Sequence, residues 1–149
     1  MQTGPQSQRS NPTYQVDFEE IDHTADWALR VRGRDLRELL INAARGMVSL
    51  IIADPATLSG DVEQALELEA IDAESLLVDW LNELAYWAEA EMLVFHQFEL
   101  QDVTSTSLRA TIRGGHAPDL KKHIKAVTYH NLEIVETVNG LEATVVFDV

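Results

Sequence analysis

Residues 18–32, FEEIDHTADWALRVR, place a short polar segment between two stretches in which apolar side chains occupy every second position. The apolar positions are Tyr14, Val16 and Phe18 before the segment and Trp27, Leu29 and Val31 after it. Because a β-strand turns successive side chains to opposite faces, this alternation predicts two half-buried strands. The strands form a predicted hairpin, and residues 22–26, DHTAD, form the loop that connects them.

The connecting loop holds Asp22, His23 and Asp26, residue types that bind hard or borderline cations or transfer protons. Loops held by a rigid scaffold are frequent positions for ligand-binding groups. Aspartate and threonine are also common turn residues, because their side chains hydrogen-bond the nearby backbone. The loop by itself therefore fits either a functional site or an ordinary turn.

The composition is that of a globular chain, with 149 residues, of which 46% are hydrophobic and 24% charged. This length suffices for one domain that buries roughly 70% of the surface of the unfolded chain. There is no cysteine, which excludes disulfides, thiolate nucleophiles and zinc sites built on sulfur. Any metal site in this chain must use oxygen or imidazole ligands.

The formal net charge of -14 bears directly on the class of partner. Such a polyanion repels phosphate backbones, so tight and direct binding to nucleic acid is not expected. The charge favours basic partner proteins and divalent cations, although acidity also keeps a small protein soluble. No apolar run reaches the roughly 18 residues of a membrane span, and the first residues lack the apolar core of a signal peptide. We therefore expect a cytoplasmic protein that does not cross a membrane.

Two amphipathic helices are predicted, each beginning after an aspartate cap. Asp35 caps the first, and Glu38 follows three residues later, as in a capping box. Asp72 caps the second, in which Trp80 and Trp87 are expected to be core anchors. The apolar stripes are Leu36, Leu39, Leu40, Ala43, Ala44, Met47, Val48 and Ile51 in the first helix, and Leu76, Leu77, Trp80, Leu81, Leu84, Ala88 and Met92 in the second.

Period-two alternation predicts further strands at residues 64–70, 94–103 and 108–113, the last two joined as a hairpin. Residues 114–118, GGHAP, are predicted to form a loop or tight turn, and a short basic stretch follows. Residues 1–12 are rich in Gln, Ser, Gly and Pro and predict a flexible tail, so the folded domain is expected to span residues 13–149.

The last hairpin is predicted around Asn139 and Gly140, a preferred pair for a two-residue turn. With those residues as the loop, Val138 faces Leu141, and each earlier residue pairs with a later one. The expected pairs further along are Ile134 with Val145, Leu132 with Phe147, Asn131 with Asp148, and His130 with Val149. The mixture of short hairpins and helices predicts a single α+β domain, with a largely antiparallel sheet and two amphipathic helices packed on it.

The chain terminus supplies a second group of oxygen ligands. Val149 carries the free α-carboxylate, which is ionised at neutral pH, directly beside the side chain of Asp148. A cation between these two anions would relieve their repulsion, and a carboxylate from Asp26 would complete an oxygen-rich site for calcium, magnesium or manganese. The alternative is a solvated end of the chain with no bound metal.

Taken together, four sequence segments resemble the archease family. They are DHTAD at residues 22–26, LLVDWLNEL at residues 76–84, KAVTYH at residues 125–130, and FDV at residues 147–149. Each motif is short, but their order, spacing and terminal position make the combination specific. The resemblance covers about residues 14–149.

The resemblance implies a small acidic α+β protein that assists the RNA-splicing ligase, the enzyme that seals tRNA halves with GTP and manganese. A family member of this kind is a ligase activator, or chaperone in tRNA splicing and RNA repair, with no catalytic activity of its own. It promotes guanylylation of the ligase and multiple turnover, and it meets tRNA only indirectly, through the ligase. The family is regarded as having a calcium site, which maps here onto Asp26, Asp148 and Val149.

Partner or nucleotide contacts are expected from Lys125 and His130, which the predicted hairpin sets beside the terminal carboxylates. Asp22 and His23 are further candidates, because they belong to the same DHTAD motif as the predicted metal ligand Asp26. A structural lysine paired with a nearby carboxylate is an equally open interpretation of Lys125. The chain departs from the family pattern at Gly115-His116 and in the short connection before KAVTYH, so no functional role is assigned to His116 or His123.

A different class of function is a small metal-dependent hydrolase or phosphotransfer enzyme. In that hypothesis Asp22, Asp26 and Asp148 hold one or two divalent ions, and His23 or His130 acts as acid or base. The net charge of -14 and the lack of a phosphate-binding loop favour the activator instead. A structural adaptor without metal is the third possibility.

Overall fold

The computed structural model describes residues 17–21 and 27–149, and its described part is an α+β domain, as the sequence predicts. The elements in chain order are β1 (Phe18–Ile21), β2 (Trp27–Gly33), α1 (Leu36–Ile51), a 3-10 turn (Pro55–Thr57), β3 (Val62–Glu69), α2 (Ala73–Glu91), β4 (Leu93–Val103), β5 (Ser107–His116), β6 (Ala126–Thr128), β7 (Val135–Thr137) and β8 (Gly140–Asp148). All strand pairs among the described residues are antiparallel. No helix in these ranges is both long enough and apolar enough to span a membrane.

The five-stranded sheet has the order β1-β2-β8-β6, and β7 also pairs with β8. Strands β1 and β2 form the predicted first hairpin, with Phe18 opposite Val31 and Ile21 opposite Ala28. The expected earlier strand positions Tyr14 and Val16, the DHTAD loop and the tail at residues 1–12 lie outside the described residues. Strand β8 is the long central strand of this sheet.

Both helices begin where their predicted aspartate caps stand. The Asp35 carboxylate accepts a hydrogen bond from the Glu38 N–H at 2.9 Å. The Glu38 carboxylate reaches back to the N–H of Arg34 at 2.8 Å, one residue earlier than in a standard capping box. In the second helix, Asp72 accepts from the Ser75 N–H at 2.8 Å. These bonds satisfy amide groups that the first turn of a helix leaves without partners.

The core forms where each helix meets both sheets. Helix α1 packs on β2 and β4, and α2 packs on β4 and β6. Trp80 is fully buried, as expected, and its indole N–H donates to the Leu40 carbonyl at 2.9 Å, which ties the two helices together. Trp87 is half-buried and donates to a carboxylate oxygen of Glu83 at 3.1 Å.

The three-stranded sheet has the order β3-β5-β4 and corrects one prediction. Gly114 and Gly115, expected in a loop, continue strand β5, which ends at His116. A Cβ added to Gly114 would overlap the Val94 carbonyl oxygen and lie 2.6 Å from the Phe95 Cα. Glycine in this strand marks a close approach of two backbones, and the loop prediction was wrong because it treated both glycines as chain breakers.

The register of the last hairpin is the second correction. The pair that closes the turn is Thr137 with Gly140, and the ladder ends at Val135 with Glu142. Val138 and Asn139 form the turn, and Gly140 adopts a φ of 132°, close against the backbone of Arg34. Val138 therefore does not face Leu141 as predicted.

The long pairing predicted beyond this hairpin is also wrong, because the chain before β7 leaves the sheet. Asn131 takes a φ of 51° in a turn that the Leu132 N–H closes onto the Tyr129 carbonyl at 3.0 Å. The partner of Phe147 is then Val127 of β6, not Leu132. Leu132 and Ile134 lie between β6 and β7 and are half-buried, whereas Val145 and Phe147 lie in β8 and are buried.

Candidate metal and partner site at the end of β8

The last residues of the chain emerge at one end of the five-stranded sheet, between two other strands. Phe147 is fully buried and pairs with Trp27 of β2 on one side and with Val127 of β6 on the other. Asp148, the next residue, pairs with Ala126 and is exposed, and Val149 is also exposed. The buried phenylalanine therefore anchors the strand directly before the two carboxylates.

The KAVTYH motif lies alongside the FDV motif. The Lys125 N–H donates to the Asp148 carbonyl at 2.8 Å, immediately before the three pairs of β6 with β8. The Lys125 side chain is exposed, and its ammonium makes no ion pair within the described residues. A structural role for Lys125 requires a carboxylate partner, and no residue in that part of the chain supplies one.

The other cations of the basic segment at residues 119–125 are engaged internally. The Lys121 ammonium donates to the Ser49 carbonyl at 3.0 Å at the end of α1. The Lys122 ammonium lies 3.6 Å from the centre of the Trp27 ring, a cation–π contact. His123 Nδ1 is 3.1 Å from a carboxylate oxygen of Glu89. Within the described part of the chain, Lys125 thus differs from these neighbours, because no contact engages its exposed ammonium.

Strand β6 is held from its other side by helix α2. The Asn82 side chain accepts a hydrogen bond from the Val127 N–H at 2.9 Å and donates to the Val127 carbonyl at 3.3 Å. Asn82 belongs to the LLVDWLNEL motif, but no role was predicted for it from the sequence. The available signal was an asparagine in the middle of a helix, a position where this residue type is unfavourable unless its side chain finds a partner.

The other predicted partner residue of the KAVTYH motif, His130, is not opposite Val149. It is exposed in the turn after β6, where its N–H donates to the Thr128 hydroxyl at 3.3 Å and its Nε2 lies 3.3 Å from Asn131 Nδ2. The turn explains the correction, because it ends the strand two residues before His130. His130 is therefore near β6 in sequence but is not a register partner of the chain terminus.

The predicted loop residues Asp22, His23 and Asp26 lie outside the described residues. Within residues 17–21 and 27–149, no three histidine or acidic side chains cluster closely enough to hold a metal ion. What this part of the chain supplies is a pair of exposed carboxylates, from the Asp148 side chain and the chain terminus. Anionic oxygens of this kind suit hard cations such as calcium, so the chemistry of the donors fits the expected metal.

Two carboxyl groups with a lowered pKa stand at helix starts, away from this site. A hydrogen bond from the Arg34 guanidinium lowers the pKa of Glu38, and the Ser75 N–H lowers that of Asp72. Both are explained by helix capping. Neither points to a second catalytic or binding centre.

Comparison with known proteins identifies relatives over nearly the whole described chain. A model of the Archease protein family (MTH1598/TM1083) matches residues 18–149. A protein archease of Methanosarcina barkeri is 39% identical over 140 residues, which cover 89% of this chain and 95% of that protein. A protein archease of Methanothermobacter thermautotrophicus is 32% identical over 139 residues, which cover 88% of this chain and 97% of that protein.

Two solved structures share the fold. The solution structure of Methanobacterium thermoautotrophicum protein 1598 has a TM-score of 0.72 and 29% identity, covering 89% of this chain and 99% of that one. The crystal structure of a Thermotoga maritima protein described as an archease and possible chaperone has a TM-score of 0.65 and 23% identity, covering 88% and 96%. At that identity the second likeness supports the fold alone.

Proposed function

Because this chain belongs to the archease protein family, we propose that it activates a GTP- and manganese-dependent RNA-splicing ligase as a protein cofactor and has no catalytic activity of its own. The observation that supports this most directly is the family match over residues 18–149. In this proposal the protein promotes guanylylation of the ligase and its repeated turnover in tRNA splicing and RNA repair. Contact with tRNA is indirect, through the ligase.

The proposal includes a calcium site, or a site for another divalent cation, formed by Asp26, Asp148 and Val149. Trp27 follows Asp26 in the sequence, and Phe147 precedes Asp148. Because Trp27 and Phe147 are register partners in adjacent strands, their pairing supports a site that combines the two aspartates. The two terminal carboxylates supply anionic oxygens, and their exposure leaves them accessible to an ion. The cation, when bound, neutralises these anions and offers a positive charge to a ligand of the partner.

The residues around this site have a positioning role in the proposal. The exposed Lys125 ammonium is available to a nucleotide phosphate or an acidic side chain of the ligase. Asp22, His23 and His130 are further contact candidates. An acidic chain of net charge -14 also complements a basic, RNA-binding enzyme, so that electrostatic attraction speeds their encounter. The rate gain then comes from orienting the ligase nucleotide, not from a covalent step on this chain.

The experiment is RNA ligation by the splicing ligase of the same organism, with GTP, manganese and RNA in large excess. Wild-type protein is expected to convert a stalled single round into continued turnover, and Asp148→Asn is expected to lose most of this effect. The matched control is Asp61→Asn, which removes the same charge from an exposed residue before β3. Equal ligation with and without wild-type protein would refute the activator function.

The hydrolase hypothesis is tested by the same preparation. It requires that the isolated protein with a divalent cation turns over phosphoesters or nucleotides, whereas the activator proposal predicts no turnover without the ligase. Of the residues that this hypothesis requires, Asp148 and His130 lie among the described residues, whereas Asp22, His23 and Asp26 lie outside them. The family match favours the activator.

A further inference from the structure

Strand β6 stands at the edge of the five-stranded sheet among the described residues, and the Asn82 side chain hydrogen-bonds its backbone there. Its three residues pair with β8 on one side, and on the other side the Val127 N–H and carbonyl both point to the Asn82 amide, at 2.9 and 3.3 Å. In an antiparallel ladder the two polar groups of one residue point to the same side. The Asn82 side chain therefore makes the two hydrogen bonds that a neighbouring strand would make with Val127.

The contact between Asn82 and Val127 is largely shielded from water, so water cannot readily replace the Asn82 amide. Val127 is only 4% exposed, and Asn82 is half-buried on the face of α2 that packs on β6. Buried backbone groups require partners, and a three-residue strand has few ladder bonds with which to hold its position. Loss of the amide would leave two polar groups of β6 unpaired at once.

We infer that Asn82 is a positioning residue for the terminal carboxylates, acting through β6. The chain of contacts is short: Asn82 fixes Val127, Val127 pairs with Phe147, and the Lys125 N–H two residues earlier holds the Asp148 carbonyl at 2.8 Å. The direction of the Asp148 side chain and the placement of Lys125 beside it then depend on the amide. This inference rests on the proposed cation site, and nothing in the family match assigns a role to Asn82.

The test compares Asn82→Ala, Asn82→Gln and Asn42→Ala with wild type. Alanine removes both hydrogen bonds and is the best helix former, so the helix itself is preserved. Glutamine keeps both amide groups on a longer stem and serves as the partial rescue. Asn42 is the matched control, because this buried asparagine of α1 also bonds a strand backbone, the Arg32 carbonyl at 2.8 Å, far along β2 from the chain terminus.

The readouts are calcium binding by titration calorimetry and amide hydrogen exchange by NMR, both on the full chain. Asn82→Ala is expected to weaken calcium binding about tenfold, in the range found for residues that orient metal ligands. Exchange of the Val127 and Lys125 amides is expected to accelerate by a similar factor. Asn82→Gln is expected to recover part of both losses. Asn42→Ala is expected to lower the melting temperature while leaving calcium affinity and these two amides unchanged.

Two results would overturn the inference. If Asn82→Ala binds calcium as wild type does and keeps the Lys125 amide protected, the Asn82 contact is purely structural. If Asn42→Ala lowers calcium affinity as much as Asn82→Ala, the effect is general destabilisation. Failure of the proposed function gives a different pattern: wild-type protein then binds no calcium, while Asn82→Ala still exposes the Val127 and Lys125 amides.

Discussion

Gly114 offers a sharp test of the packing between β4 and β5. A Cβ at this position would overlap the Val94 carbonyl oxygen and lie 2.6 Å from the Phe95 Cα and 2.7 Å from the Val94 carbonyl carbon. All three atoms belong to the backbone of the neighbouring strand, so no side-chain rotation can relieve the overlap. Gly114→Ala therefore requires the two strands to separate locally.

The expected cost of Gly114→Ala follows from the size of that overlap. Insertion of a methyl group into a packed interior typically costs about 1 to 3 kcal/mol, and a backbone obstacle places this substitution at about 3 kcal/mol. Separation would also strain the ladder bonds at both neighbouring pairs, Val62 with Gly114 and Phe95 with Gly114. For a chain of this size, the loss lowers the melting temperature by about 6 to 12 °C.

The assay is urea and thermal unfolding followed by circular dichroism, with Gly60→Ala as the matched control. A Cβ at Gly60 would meet only the flexible Gln97 side chain, with its nearest atom at 3.6 Å. Gly60→Ala is expected to be neutral or to stabilise by about 0.4 to 1 kcal/mol, because alanine restricts the unfolded chain. A Gly114→Ala protein within about 1 kcal/mol of wild type would refute the argument from backbone overlap.

Three further predictions concern the helices and the exposed lysine. Trp80→Phe removes the 2.9 Å bond to the Leu40 carbonyl and part of a fully buried ring, and it is expected to destabilise by about 2 kcal/mol in urea unfolding; no change would mean that the bond is dispensable. Since the Ser75 N–H lowers the pKa of Asp72 below its ordinary value of 3.8, this cap stabilises above pH 3.8 and its contribution is lost as pH falls through the folded pKa. Asp72→Asn should therefore reduce the acid sensitivity of the melting temperature, and an unchanged pH profile would contradict this. Lys125→Met should leave the melting temperature near that of wild type and reduce ligase activation, whereas full activation would exclude a role for the ammonium.

The elements of the fold were predictable because they follow from local rules. Aspartates at 35 and 72 cap helices through bonds made within three residues, and the alternation of β3 buries Leu66 against exposed Glu67. The errors arose where tertiary contact decides the geometry. Gly140 lies close to the backbone of Arg34 and pairs with Thr137, so the turn is formed by Val138 and Asn139.

The candidate site was predictable only in part, for a related reason. The order Phe147-Asp148-Val149 and the acidic character of the chain follow directly from the sequence. The pairing of β6 with β8 joins segments about twenty residues apart and bypasses the hairpin strand between them. No periodicity encodes that choice. Lys125 was expected beside the terminal carboxylates, but its backbone bond to Asp148 and the support from Asn82 required the structure.

The pairing of strands at the chain end supports the proposed positioning role. Strand β8 is paired along its length with β2 and at its end with β6, and the buried Phe147 stands one residue before Asp148. A terminus held in this way keeps two carboxylates at a defined place on the surface, although chain ends are usually mobile. Exposed carboxylates beside the Lys125 ammonium, which has no ion-pair partner among residues 17–21 and 27–149, combine both signs of charge in a small area. In the proposed function, this surface orients a cation and a phosphate of the partner enzyme, and the strand pairing that holds it reduces the entropy that binding would otherwise cost.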